Sequence, residues 1–190
     1  MSVIMALAAI LPARGQDEPT YAVGIAASYA VPDDLRHGAG AGVSFTRMLS
    51  PLFSVEFGAE HHRFDHSDAN NVDSGTIRAT PYVVAAQVRP QFGWNPYLGV
   101  GVGYYVMSYD QTSAAATACT CEFTVENTVV GHFMVGFDVP LRNRLTATLD
   151  ARFASGRADT VSRNLTTGAS VSDDLTLNYR KIAVGLKYWF

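Results

Sequence analysis

Residues 95–110, NPYLGVGVGYYVMSYD, put glycine at positions 99, 101 and 103 and bulky apolar residues at 98, 100, 102, 104 and 106. A helix is a poor home for this stretch: each interior glycine costs about 1 kcal/mol relative to alanine, and a period of two scatters the apolar residues around a helical barrel. A dinucleotide-binding loop would need glycine at 104, where the chain has tyrosine, and no helical pattern follows to receive a phosphate. The stretch therefore reads as a β-strand with one bulky apolar face and one nearly bare face.

The same alternation recurs over residues 21–30, 38–49, 53–61, 81–89, 128–139, 145–153 and 181–190, which with 95–110 makes eight strands. About ten residues is the length at which a tilted strand crosses a bilayer. Short links at 49–51, 90–95 and 140–144 alternate with longer polar ones at 31–38, 65–76, 110–127 and 155–174. Short turns on one side and long loops on the other are the mark of an up-and-down membrane barrel.

Charge decides between this and a soluble barrel. The bulky faces carry no Asp, Glu, Lys or Arg except Arg47, which lies beside a short turn where a long cation can snorkel to the interface. The opposite faces carry Glu56, Glu60, Arg89, Asp138, Asp150, Arg152 and Lys187. Polar inside and apolar outside is the reverse of a lipocalin-like barrel. The fold class expected is all-β: an eight-stranded antiparallel up-and-down transmembrane β-barrel of the bacterial outer membrane, with lipid and lipopolysaccharide as its surroundings.

Other classes drop out. Charged residues make up 16% of the chain and the net charge is −3, so there is no basic footprint for nucleic acid. No run of 18 apolar residues provides a spanning helix. The first residues read as a secretory signal over 1–15, with an apolar run from Val3 to Leu11 and small residues at Ala13 and Gly15, although no cation precedes Val3. The barrel then occupies 16–190. Cys119 and Cys121, one residue apart, suit a local staple or two free thiols better than a metal, which needs more ligands.

The stretches SPLFSVEFGAEHHRFD and ATPYVVAAQVRPQFGWNPYLGVGVGYYV, with the terminal GLKYWF, resemble the outer-membrane protein W family of eight-stranded barrels. The resemblance implies passage of small hydrophobic molecules from outside into the membrane by a sideways exit. It also implies that the terminal aromatics, Tyr188 and Phe190, signal to the barrel-assembly machinery.

Strand parity allows the interior to be sketched. Glu56, Arg89, Asp138 and Lys187 fall near the short-turn side, two negative and two positive, and are expected to pair into a polar plug. Val83, Tyr105, Met107, Val130 and Met134 are expected to line an apolar chamber nearer the loops. Pro81 is the candidate lateral exit, because proline cannot donate to a strand ladder.

Catalysis and metal binding find little support. The His-x-Ser pair of lipid A deacylase barrels is missing, since His37, His61, His66 and His132 are followed two residues later by Ala39, Arg63, Asp68 and Met134. No enzyme activity and no cofactor are expected. His61, His62 and His66 with Asp65 and Asp68 could meet a surface metal, but solvated loop residues account for them equally well. The rival to a conduit is a closed barrel that acts through its outer loops in adhesion or envelope anchoring.

Overall fold

The structure, a computed structural model, describes residues 20–33, 36–67, 73–90, 94–111 and 121–190. The strands are β1 (Tyr21–Pro32), β2 (Gly38–Met48), β3 (Phe53–Ser67), β4 (Asp73–Val88), β5 (Pro96–Gln111), β6 (Cys121–Val125), β7 (Thr128–Arg142), β8 (Leu145–Ser155), β9 (Arg157–Asn164), β10 (Ser170–Thr176) and β11 (Tyr179–Trp189). Eight of them close a barrel in the order β1-β11-β8-β7-β5-β4-β3-β2, every neighbouring pair antiparallel. Closure leaves no barrel strand with an unpaired edge, the condition for crossing lipid with strands.

The alternation read from the sequence is the alternation of burial. Ile25, Val43, Phe57, Val84, Leu98, Val100, Val102, Phe133 and Val184 face outward and are exposed, while the positions between them turn inward. A belt of that composition on a water-soluble protein would be an aggregation hazard; in lipid it is the solvated face. Outward tyrosines Tyr82 and Tyr104, cross-strand partners, mark the loop-side end of the belt, and Tyr21, Tyr188 and Phe190 mark the turn-side end. Arg47 does face outward there, with its guanidinium 5.7 Å from the centre of the Tyr21 ring.

Two of the longer polar links contain strands among their described residues. Residues from 110–127 and 155–174 supply β6, β9 and β10, which form a three-stranded sheet in the order β10-β9-β6 beyond the barrel mouth. Polar residues on both faces hid these strands, because water rather than lipid or core meets most of them. Val125, Ala158 and Thr160 are nevertheless buried, so one side of the sheet covers the mouth. The connection 65–76 is also mostly strand, since β3 runs to Ser67 and β4 begins at Asp73. Residues 1–19, with the expected signal, lie outside the described residues, as does Cys119; Cys121 opens β6 opposite Asn164.

Candidate functional site: a paired floor beneath an apolar roof

The interior is built from unequal walls. Inward positions of β1 from Ala22 to Ala30 and of β2 from Gly38 to Thr46 hold nothing larger than threonine. Their partners fill the space. Gly38, Gly40 and Gly42 sit directly opposite Phe64, His62 and Glu60 of β3, and a Cβ at any of the three glycines would come within 2.5 Å of that partner's side chain. The glycines of β5 play the same part: Met134 lies over Gly99, and His132 and Tyr105 lie over Gly103. Glycine alternation on the bare face is thus the negative imprint of large side chains opposite.

Those large side chains form a floor of ion pairs toward the turn side. Arg89 donates to Asp138 at 2.6 Å, to Ser54 Oγ at 2.8 Å and to Gln87 Oε1 at 2.6 Å, while its guanidinium lies 4.6 Å from the Tyr97 ring centre. Thr148 donates to the other oxygen of Asp138 at 2.7 Å. Lys187 meets Glu56 at 3.1 Å, and Arg152 meets Glu56 and Asp150, each at 2.7 Å. Tyr97 donates to Asp150 at 2.8 Å. One step higher, Glu60 accepts from Lys181 at 2.5 Å and from His62 at 2.8 Å, with Arg152 at 3.5 Å. Unpaired charges so deeply buried would cost several kcal/mol each; here every charge named has an opposite partner.

The four residues expected to form the plug are therefore in it, as two pairs, Arg89 with Asp138 and Lys187 with Glu56. The network is twice that size. Glu60, Asp150 and Arg152, inner-face residues by parity, find their partners in it. Lys181 and Tyr97 join them, and the parity of their own strands turns both inward. A cavity of about 40 Å3 remains among Glu56, Glu60, Tyr97, Asp150, Arg152 and Lys187 on one side and the small residues of β1 and β2 on the other. It is large enough for water, with charged groups on one side to bind it.

Above the floor lies a layer of rings. Tyr105 Oη is 3.2 Å from His132 Nε2 and shares a short hydrogen bond with Tyr179 Oη. His62 stacks on Phe64 with ring centres 5.7 Å apart. Beyond these rings the inward side chains turn apolar: Phe64, Ile77, Ala79, Met107, Val125, Val130 and Leu177 pack together with Tyr105 and Tyr179. Tyr105, Met107 and Val130 stand where the apolar chamber was expected, and Val83 is buried just below, beside Gly103.

Met134 does not belong there. It packs with Ala85 and Tyr97 and takes a hydrogen bond from Gln87 at 3.4 Å, so it is part of the floor. Counting residues from a turn misplaced it, because β7 is staggered against β5 such that Met134 sits opposite Gly99, itself opposite Gln87. The histidine cluster also separates. His62 is buried inside and His61 points outward, bonding Thr80 at 3.1 Å, so the two cannot share a metal. No group of three metal-ligating residues occurs among the described residues.

Pro81 is buried on the inner face of β4, in register with Tyr105 of β5. On its other side the β3–β4 pairing lapses for two residues, between Ala59↔Tyr82 and Ala79↔His62, without a change of register. Proline supplies no N–H at that point.

Comparison with known proteins agrees with this architecture. OprG of Pseudomonas aeruginosa superposes with a TM-score of 0.80 at 16% identity, covering 93% of this chain and 98% of that one. AlkL, solved in lipid bilayers, gives 0.69 at 15% identity over 94% and 93%. Outer membrane protein W of E. coli gives 0.57 at 16% over 93% and 100%. A search of curated proteins found no match. At such identities the likeness speaks for the fold. The profile of the OmpW family, however, matches residues 2–190, and the chain belongs to that family of bacterial outer-membrane barrels.

Proposed function

We propose that the barrel takes up small hydrophobic molecules from outside through its apolar upper interior and releases them sideways into the outer membrane, the floor denying them the periplasm. One observation carries the reading: an apolar tier at the loop end stands directly on an ion-paired tier, with a lapse in the wall beside their junction at Pro81 and Glu60. An apolar solute gains by entering the first tier and loses by entering the second, where it would have to displace paired charges. At the junction, two residues of β3 and β4 are joined by the His61–Thr80 side-chain contact in place of ladder bonds. Tyr188 and Phe190 keep the role of assembly signal in this reading, and Phe190 meets β1 through its backbone and the Tyr21 ring.

The test is uptake of an apolar dye by intact cells, where the lipopolysaccharide leaflet is the barrier. Cells with the protein take up the dye faster than cells without it. Met107→Asp, which puts a charge in the roof, abolishes the difference, and Pro81→Ala reduces it by completing the ladder. Equal uptake with and without folded, surface-exposed barrel would end the proposal. The rival reading, a barrel that works through its loops, draws on the outer sheet, where Leu165 and Val171 are exposed. Removing residues 165–171 would abolish cell adhesion under that reading and leave dye uptake in place.

A further inference from the structure

The outward face of the barrel carries two neighbouring features that solute passage does not use. β3 and β4 set Arg63 and Arg78 directly opposite one another, both exposed and both outward. Like charges in that relation repel and destabilise an antiparallel pair. Arg78 is held by Asp110 at 2.5 Å with both side chains half exposed, and Arg63 reaches only Thr76 Oγ1 at 3.4 Å among the described residues. A third exposed arginine, Arg36, is tied by its backbone N–H to Asp65 O at 3.2 Å, two residues beyond Arg63. The pair stands four residues beyond Tyr82 on β4, just outside the aromatic edge of the belt, where lipid headgroups begin.

The second feature is an apolar groove of about 880 Å3 across the outer faces of β11, β1, β2 and β3. Its bed is made by Ala27, Ala41 and Ala59, with Ile25 and Val184 among its sides. Ala27 faces Ala41, and Ala41 faces His61, which also lines the groove and precedes Arg63 by one outward position. The groove therefore ends at His61, one outward position below Arg63.

We propose that this wall is a binding site for a phosphorylated glycolipid of the outer leaflet, lipid A, with a phosphate on Arg63 and Arg78 and an acyl chain in the alanine groove. Charge complementarity selects the occupant. A phosphate monoester accepts hydrogen bonds from both guanidinium forks and relieves their repulsion, whereas a zwitterionic lipid brings a cation of its own to the same place. The apolar bed fits hydrocarbon and nothing polar. The site does not depend on whether the lumen conducts, because Arg63, Arg78 and the alanines of the bed lie on the outer face; only Glu60 and the small inward residues behind the bed are shared with the interior.

Native mass spectrometry of the purified full chain tests this, with folding of each variant verified by heat-dependent gel mobility. The probes are bisphosphorylated lipid A, the same lipid after enzymatic dephosphorylation, and inorganic phosphate. The intact barrel retains bisphosphorylated lipid A, loses most of the adduct when the phosphates are removed, and does not release it to millimolar phosphate. Arg63→Gln with Arg78→Gln weakens binding roughly 30-fold, from about 1 kcal/mol for each cation at an anionic lipid surface. Ala41→Phe, which fills the groove, also weakens it, while Arg157→Gln on the outer sheet does not. Equal retention of phosphorylated and dephosphorylated lipid would overturn the proposal, as would release by inorganic phosphate alone. So would unchanged binding in the double variant. Should that variant fail to fold, the discrimination between the two lipids by the unaltered chain decides.

Discussion

Below the Tyr105–Tyr179 pair the lumen holds Glu56, Glu60, Asp138 and Asp150 with Arg89, Arg152, Lys181 and Lys187; above it stand Phe64, Ile77, Met107, Val130 and Leu177. The same strands build both tiers, so backbone geometry does not separate them. What separates them is how each inward position is satisfied. The floor depends on partners in fixed places, most charges held by others from different strands. The roof depends only on contact area, and any apolar side chain of similar volume serves. The floor is thus specific and brittle, the roof tolerant and adaptable.

The contrast breaks most sharply at Arg152, which alone touches Glu56, Glu60 and Asp150. Arg152→Met leaves three buried carboxylates short of a cation and is expected to cost about 3–5 kcal/mol in urea unfolding from micelles. Asp138→Leu alone falls close behind, because Arg89 is then stranded. Adding Arg89→Leu recovers most of the loss, to within about 1 kcal/mol of the parent; a cycle in which the two losses simply add would show that the pair is not coupled. Gly101→Val comes next: its Cβ would lie 2.5 Å from the backbone oxygen of Val84, and overpacking of that kind costs about 1–3 kcal/mol. Val102→Ile, outward in the belt, shifts stability by less than about 0.5 kcal/mol. If that outward change cost more than Gly101→Val, the assignment of the two faces would be wrong.

Much of this was legible because strand parity is local. Knowing that Val100 faces out settles Gly99 and Gly101 without reference to any other strand, and the pattern of charge then says which face meets lipid. Parity also reaches the members of the floor: it turns Lys181 inward within 181–190, and His62 one step past 53–61. Height along the barrel is different, since it depends on the stagger between strands. Met134 and Val130 are four residues apart on β7, yet one belongs to the floor and the other to the roof. The outer sheet escaped notice for another reason: a strand wetted on most of its surface needs no apolar face, and Arg157–Asn164 shows only Ala158 and Thr160 as a buried alternation. The arginine pair needed the β3–β4 register, because residues fifteen apart in sequence reveal nothing of their opposition.

The bare wall of β1 and β2 has an electrical consequence. Glu60 borders both the inner cavity and the alanine groove outside, with Gly42 between them. Around most of the barrel, bulky outward side chains such as Val84, Leu98 and Phe133 thicken the wall between the buried ions and the hydrocarbon. Here the insulation is a single peptide backbone. Lipid tails lying against Ala27 and Ala41 sit in the fringe field of the floor, so this stretch of barrel presents the membrane with shape and, through the wall, with the polarity of its interior.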